Sequence, residues 1–178
     1  MTTRAPAIND LMLQGNTCFG CSATNEDGLH IKIYRDPSHD DRLVGEYRPR
    51  ATQGGFPHIV HGGLQFTALD CMAGWIVFTR GREERLMPLT QSATVRYRRP
   101  VPMDQVLRLS SEVVGSTQAE AGSKASEVLQ IRTEIRDEAD ALLTVADFEY
   151  VVVPEVTFRK MVGIDELPES YRRHFGDL

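Results

Sequence analysis

Between Gly63 and Arg80 the chain reads Leu64-Gln65-Phe66-Thr67-Ala68-Leu69-Asp70-Cys71-Met72-Ala73-Gly74-Trp75-Ile76-Val77-Phe78-Thr79, with Asp70 its only charged side chain. Apolar residues on nearly every face are the pattern of a helix surrounded by protein, so the fold is expected to be built around this segment. A buried carboxylate costs several kcal/mol unless it is hydrogen-bonded or protonated. An alanine or leucine at position 70 would avoid that cost, which makes Asp70 the first candidate for chemistry. The competing reading is a carboxylate that caps another helix or a loop at a dimer interface.

The segment opens on Val60-His61-Gly62-Gly63. Glycines at a helix start leave backbone N–H groups open to close approach, and the helix dipole favours negative charge there. Gly62 and Gly63 are thus candidates for an oxyanion site, although they also suit a tight turn into a closely packed helix. Seven residues separate Gly63 from Asp70, about 10 Å at a rise of ~1.5 Å per residue. One helix cannot bring both to a single carbonyl group. Two such helices running antiparallel about a two-fold axis would, and this predicts a site shared between subunits. His61 is expected mainly as a hydrogen-bonded residue fixing the turn, and His58 as a loop residue.

A chain of 178 residues, 41% hydrophobic, suits one domain with a substantial core. No basic segment precedes a long apolar run at the N-terminus, and the one apolar run is broken by Gln65, Asp70 and Gly74, so neither export nor membrane spanning is expected and the cytoplasm is the expected location. A net charge of −5 offers no general attraction for nucleic acid or anionic membranes. Arg96, Arg98 and Arg99 form a local basic cluster. In a regular strand Arg96 and Arg98 share a face opposite Arg99, so all three can grip one phosphate only at a bulge or strand end; Arg98 or Arg99, beside Pro100, is the expected phosphate contact. Three cysteines, one inside the apolar segment, argue against a disulfide framework. Cys18-Phe19-Gly20-Cys21 has zinc-knuckle spacing, but no second Cys pair follows and His30 alone does not complete a tetrahedral site. A tight turn is the preferred reading, with no metal and no cofactor.

Ala7 to Gln14 reads as a short leading helix and Gly15 to Gly28 as an ordered loop. Leu29 to Tyr34 and Arg42 to Arg48 read as a first hairpin, followed by a Gly/Pro-rich connection over Ala51 to His58 and then the long helix. Four further strands are expected over Thr90 to Arg98, Val106 to Val114, Glu127 to Arg136 and Ala141 to Val153. The short turns between them, with Pro100, Pro102 and Asp104 in the first, Gly115 to Gly122 in the second and Asp137 to Asp140 in the third, favour antiparallel neighbours. The expected architecture is α+β, a curved antiparallel sheet wrapped around one long central helix. The C-terminal extension from Pro154 to Leu178 carries a short helix over Pro168 to Phe175, with an edge or a pocket mouth as what it would cover.

Several of these pieces together resemble the hotdog-fold thioesterase superfamily, in particular its PaaI-like branch. They are Cys18-Phe19-Gly20-Cys21 with Asn25 and Gly28-Leu29, Gln53-Gly54, Val60-His61-Gly62-Gly63 with Asp70 nine residues after His61, and Thr94-Val95-Arg96-Tyr97-Arg98-Arg99-Pro100-Val101-Pro102. The resemblance implies hydrolysis of an acyl-CoA or related thioester by a homodimer or dimer of dimers. It makes Asp70 the group that activates water or attacks directly, and the Gly62 N–H of the opposing subunit the group that polarises the carbonyl. His61 would hold the site or assist near the leaving sulfur, and Thr90 would partner the water. Many relatives have glutamate where this chain has Cys71, and some have an asparagine where it has Gly54-Gly55-Phe56. Gln53 is the candidate for the missing amide, and Gly63 joins it among the substrate-binding residues. A non-catalytic acyl-CoA binder is the alternative. A hydratase ranks last, since no His and carboxylate pair is set across a substrate β-carbon.

Overall fold

The computed structural model describes residues 6–119 and 125–177. Its centre is helix α2 (Gly62–Arg80), which begins where the His61 ring accepts the Gly63 N–H through Nδ1 at 3.0 Å and ends where Gly81 N–H bonds back to Val77 O. Ala68, Leu69, Met72, Ala73, Trp75, Ile76 and Val77 are buried along it. They pack onto a six-stranded, fully antiparallel sheet of β1 (Lys32–Asp36), β2 (His39–Tyr47), β5 (Leu86–Tyr97), β6 (Leu107–Gln118), β7 (Glu127–Arg136) and β8 (Leu142–Pro154), in the order β1-β2-β6-β7-β8-β5. The connection with Pro100, Pro102 and Asp104 does not join neighbours as its length suggested: β5 pairs with β8, and β6 fills both its edges with β2 and β7. The helix comes close at Gly45 of β2, where an added Cβ would lie 2.8 Å from Met72 Sδ. Such a packed helix residue stabilises the domain by ~2–5 kcal/mol against truncation to alanine.

The helix is not covered on every side, as its composition suggested. Gly63 is exposed, and Thr67 and Asp70 are half-buried; spaced by four and three residues, they form one strip along the helix. Strand boundaries also differ from the sequence pattern. Residues 29–31 bond to the leading loop instead of β2, through Leu29 N–H to Phe19 O and Ile31 N–H to Gly20 O, and His30 has φ +57°. The strand therefore starts only at Lys32. Alternation from Thr90 onward hid the first residues of β5, where Pro88 is accommodated on a sheet edge that needs no N–H. The Gly/Pro-rich connection contains a 3₁₀ turn (Ala51–Gln53) and a small hairpin of β3 (Gly54–Phe56) and β4 (Ile59–Val60). The turn expected over Gly115 to Gly122 falls on β6 as far as Gln118, and beyond Ala119 on residues outside those described.

The two ends of the chain close over one end of α2. In α1 (Ile8–Met12) the buried Asn9 amide donates to Cys21 O and Ile31 O, and its carbonyl accepts from Ile33 N–H. The C-terminal extension holds α3 (Glu155–Val162), which the sequence reading missed, and α4 (Glu169–Phe175). Arg85 joins the two, bonding Glu155 and, with both terminal nitrogens, Asp177. No helix among the described residues is long and apolar enough to cross a membrane.

Candidate active site

The Asp70 carboxylate is held by two hydroxyl groups. Thr90 Oγ1 donates to Asp70 Oδ1 at 2.8 Å, and the Tyr150 hydroxyl stands 2.7 Å from the same oxygen and 2.8 Å from the Asp70 carbonyl. Thr90 comes from edge strand β5 and Tyr150 from its neighbour β8. A register shift between Thr90 and Ser92 marks a bulge, a device that re-aims the side chains beside it. Burial, and then the negative charge of Asp70, pushes the Tyr150 phenol well above the ordinary tyrosine range, so it remains a proton donor. Asp70 Oδ2 has no hydrogen-bond partner among the described residues. One carboxylate oxygen is anchored and the other is left to act on a water or a carbonyl carbon.

These three side chains share a cavity of about 290 Å³ with Cys18, Cys21, Cys71, Trp75, Phe158 and Tyr171 among its walls. Phe158 of α3 and Tyr171 of α4 show that the C-terminal extension covers a pocket. Tyr150 was not anticipated in the sequence, although a core tyrosine on a regularly alternating strand signals a hydroxyl in need of a partner.

Gly62, His61, Arg98 and Arg99 lie apart from Asp70. They line a second cavity, of about 500 Å³, with Phe56, Tyr97 and Pro100. No residue lines both cavities, which agrees with the spacing argument that one helix cannot supply the whole site. The Gly63 N–H is already taken by His61 Nδ1, whereas the Gly62 N–H, ahead of the intrahelical ladder, has no partner among the described residues. The Gly62 carbonyl accepts from the Tyr97 hydroxyl at 3.2 Å. A Cβ at Gly62 would lie 3.5 Å from the Tyr97 ring, an ordinary contact, while one at Gly63 would lie 3.2 Å from His61 Nδ1. Packing within the protomer therefore explains Gly63 better than Gly62.

Arg98 and Arg99 follow the end of β5, where both backbone N–H groups bond Leu143 O. Neither side chain has a carboxylate partner among the described residues, and both reach the Gly62 cavity. Arg96 is instead bonded to Asp147, which Arg132 also holds. Gln53 is placed elsewhere: it is buried, its side-chain oxygen accepts from Tyr47 and Arg50 N–H, and its carbonyl accepts from His61 N–H. It supports the loop that carries His61 and lines neither cavity. His58, with φ +64°, is a loop residue as expected. Cys18-Phe19-Gly20-Cys21 forms a tight turn, but Cys71, which the sequence reading kept separate, approaches it with Sγ 3.5 Å from Cys18 Sγ.

Residues 58–122 match the model of the thioesterase superfamily. The fold is the hotdog fold found in solved thioesterases. A thioesterase from Haemophilus influenzae is 14% identical, with 83% of this chain and 88% of that one covered and a TM-score of 0.61. A hypothetical thioesterase protein from Streptococcus pneumoniae, solved with coenzyme A, is 20% identical over 69% of this chain and 90% of that one, with a TM-score of 0.56; it has also been solved with an aspartate or a threonine replaced by alanine. A phenylacetic acid degradation-related protein from Ralstonia eutropha is 17% identical over 69% and 85%, with a TM-score of 0.56. No curated protein sequence matches this chain.

Proposed function

We propose that this chain is a hotdog-fold thioesterase that hydrolyses an acyl-CoA in the cytoplasm, and that its active site is completed by a second copy of the chain. The observation that carries this reading is the Asp70 carboxylate, anchored through Oδ1 by Thr90 and Tyr150 with Oδ2 left without a partner among the described residues. Anchoring one oxygen orients the other, which is what a general base or a nucleophile needs. The coenzyme A complex of the Streptococcus pneumoniae protein supports the ligand class.

In the proposed reaction the thioester carbonyl lies between Asp70 of one copy and the Gly62 N–H of the other. That N–H, at a helix start, accepts the developing negative charge on oxygen. Asp70 Oδ2 either takes a proton from the attacking water or attacks the carbonyl carbon itself to form an anhydride that water then opens. The carbon–sulfur bond breaks and the CoA thiolate leaves. In this reading Arg98 and Arg99, which line the Gly62 cavity, hold CoA phosphates, since arginine pairs well with phosphate oxygens. Pairing of copies is supported by β5, a 12-residue strand whose outer edge is unpaired among the described residues; such edges invite a partner strand. The 290 Å³ cavity, walled by Trp75, Phe78, Phe158 and Tyr171, suits a compact acyl group.

The test is free-thiol release from acetyl-, hexanoyl-, palmitoyl-, benzoyl- and phenylacetyl-CoA by the native chain and by Asp70→Asn. Turnover of a compact acyl-CoA that collapses in the variant is the expected result. Binding of the esters with no turnover across the panel would replace this reading with that of a non-catalytic acyl-CoA binder.

A further inference from the structure

We propose that Cys18, Cys21 and Cys71 form a binding site for one soft metal ion, with zinc the expected occupant, in the wall of the Asp70 cavity. Their sulfur atoms all lie within 4.8 Å of one another. Thiolates bound tetrahedrally to zinc at ~2.3 Å stand a little under about 4 Å apart, so small side-chain adjustments admit the ion. Two of the ligands come from the leading loop and the third from α2, 53 positions after Cys18. Long-range convergence of this kind is what the pair alone lacked.

The cluster is built rather than incidental. A Cβ on Gly20 would stand 2.2 Å from Cys71 Sγ, so a side chain there would displace the Cys71 sulfur from its place beside the loop. The Trp75 indole N–H donates to Cys21 Sγ at 3.2 Å, the kind of outer contact that orients a metal ligand. The turn is fixed on both sides of Cys18, whose N–H donates to the Asn16 side chain and whose carbonyl accepts from Ser22 N–H. All three cysteines line the 290 Å³ cavity, which supplies both an entry path and room for a fourth ligand such as water. An all-sulfur set selects soft ions and excludes calcium or magnesium. Three protein ligands with one open position is a known zinc arrangement, whereas a disulfide would leave one of the three thiols unused. The ion would tie residues 18–21 to the helix one residue from Asp70. This inference rests on the thiols alone and is independent of the proposed hydrolysis.

The experiment uses the full, tag-free chain, reduced and freed of metal, titrated with cobalt(II) and then with zinc. Expected are uptake of one cobalt per chain, intense sulfur-to-cobalt charge-transfer absorption, its displacement by zinc, and a raised melting temperature. Cys18→Ser and Cys71→Ser should each lose the absorption, and Trp75→Phe should weaken binding by roughly 10–100-fold. A native chain with three reactive thiols and no cobalt–thiolate absorption would overturn the proposal even if the serine variants do not fold. So would absorption that persists in both folded serine variants, or a disulfide among these cysteines that forms in place of metal uptake.

Discussion

Thr90 and Tyr150 are register partners across β5 and β8, and both reach the same oxygen, Asp70 Oδ1. A carboxylate on a helix is thereby oriented by two strands at once. The bulge beside Thr90 and the packing of Tyr150 against Phe148, at 6.0 Å between ring centroids, make the orientation a property of the sheet. Asp70 is half-buried in one protomer, so its desolvation cost is smaller than a fully enclosed carboxylate would carry.

Removing the carboxylate and loosening it should have different signatures. Asp70→Asn is expected to lower kcat by roughly 10²–10⁴, the usual value of a positioned base. Tyr150→Phe and Thr90→Val remove one hydrogen bond each to a charged group, worth about 1.5–3 kcal/mol at its upper range, so each should cost about tenfold or more. Because both hold one oxygen, the double variant should cost less than the product of the single losses. Steady-state kinetics on the four proteins decide it, and fully multiplicative losses would show that the two hydroxyls act separately.

Gly62→Ala separates a packing role from an oxyanion role. The nearest atoms to the added methyl belong to Tyr97, at ordinary contact distance, so the melting temperature should hardly change. If a thioester oxygen approaches the Gly62 N–H, the methyl crowds it, and kcat/KM should fall toward the 10²–10³ loss seen when an oxyanion donor is removed. An unchanged kcat/KM would place the polarising group elsewhere.

The helix and the β6–β7 and β7–β8 hairpins were legible because periodicity and short connections are local signals, whereas the pairing of β5 with β8 was not. Glu127–Arg136 coincides with the strand expected from its alternation. What escaped depended on long-range partners. Tyr150 looks like any core aromatic until Asp70 is placed against it, and Cys71 like a small apolar residue until Gly20 admits the loop. Gln53 was read as a substrate amide because of its neighbours in sequence; its side-chain oxygen is committed to Tyr47 and Arg50. The helix α3 is short and buries none of its residues fully, so it carries little core signal; it forms a wall, with Phe158 lining the Asp70 cavity.

Arg98 and Arg99 should act on the CoA portion alone. Both are exposed and beside the Gly62 cavity, where a solvent-screened charge contact is worth at most about 1 kcal/mol. Arg98→Ala and Arg99→Ala are each expected to raise KM for an acyl-CoA by about fivefold or less with little change in kcat. An N-acetylcysteamine thioester of the same acyl group, which has no phosphates, should be indifferent to both. Equal effects on the two substrates would mean that these arginines do not contact the nucleotide.

His174 makes stability depend on pH. It is buried in α4 against Phe78 and Phe175, with ring centroids 5.9 and 4.9 Å away. Burial, and then the charge of nearby Arg82, holds its imidazole below the ordinary histidine value of 6.5. The folded chain therefore resists a proton that the unfolded chain accepts. Above the unfolded value neither state binds that proton and the group contributes no slope; as pH falls below it, the unfolded state gains protons first and stability declines until the folded value is passed. Urea midpoints measured at about pH 7.5 and about pH 5.5 should drop for the native chain, and His174→Phe should reduce the drop. The same decline in that variant would assign the pH dependence to other groups, and α4 would then cover the Asp70 cavity without sensing acid.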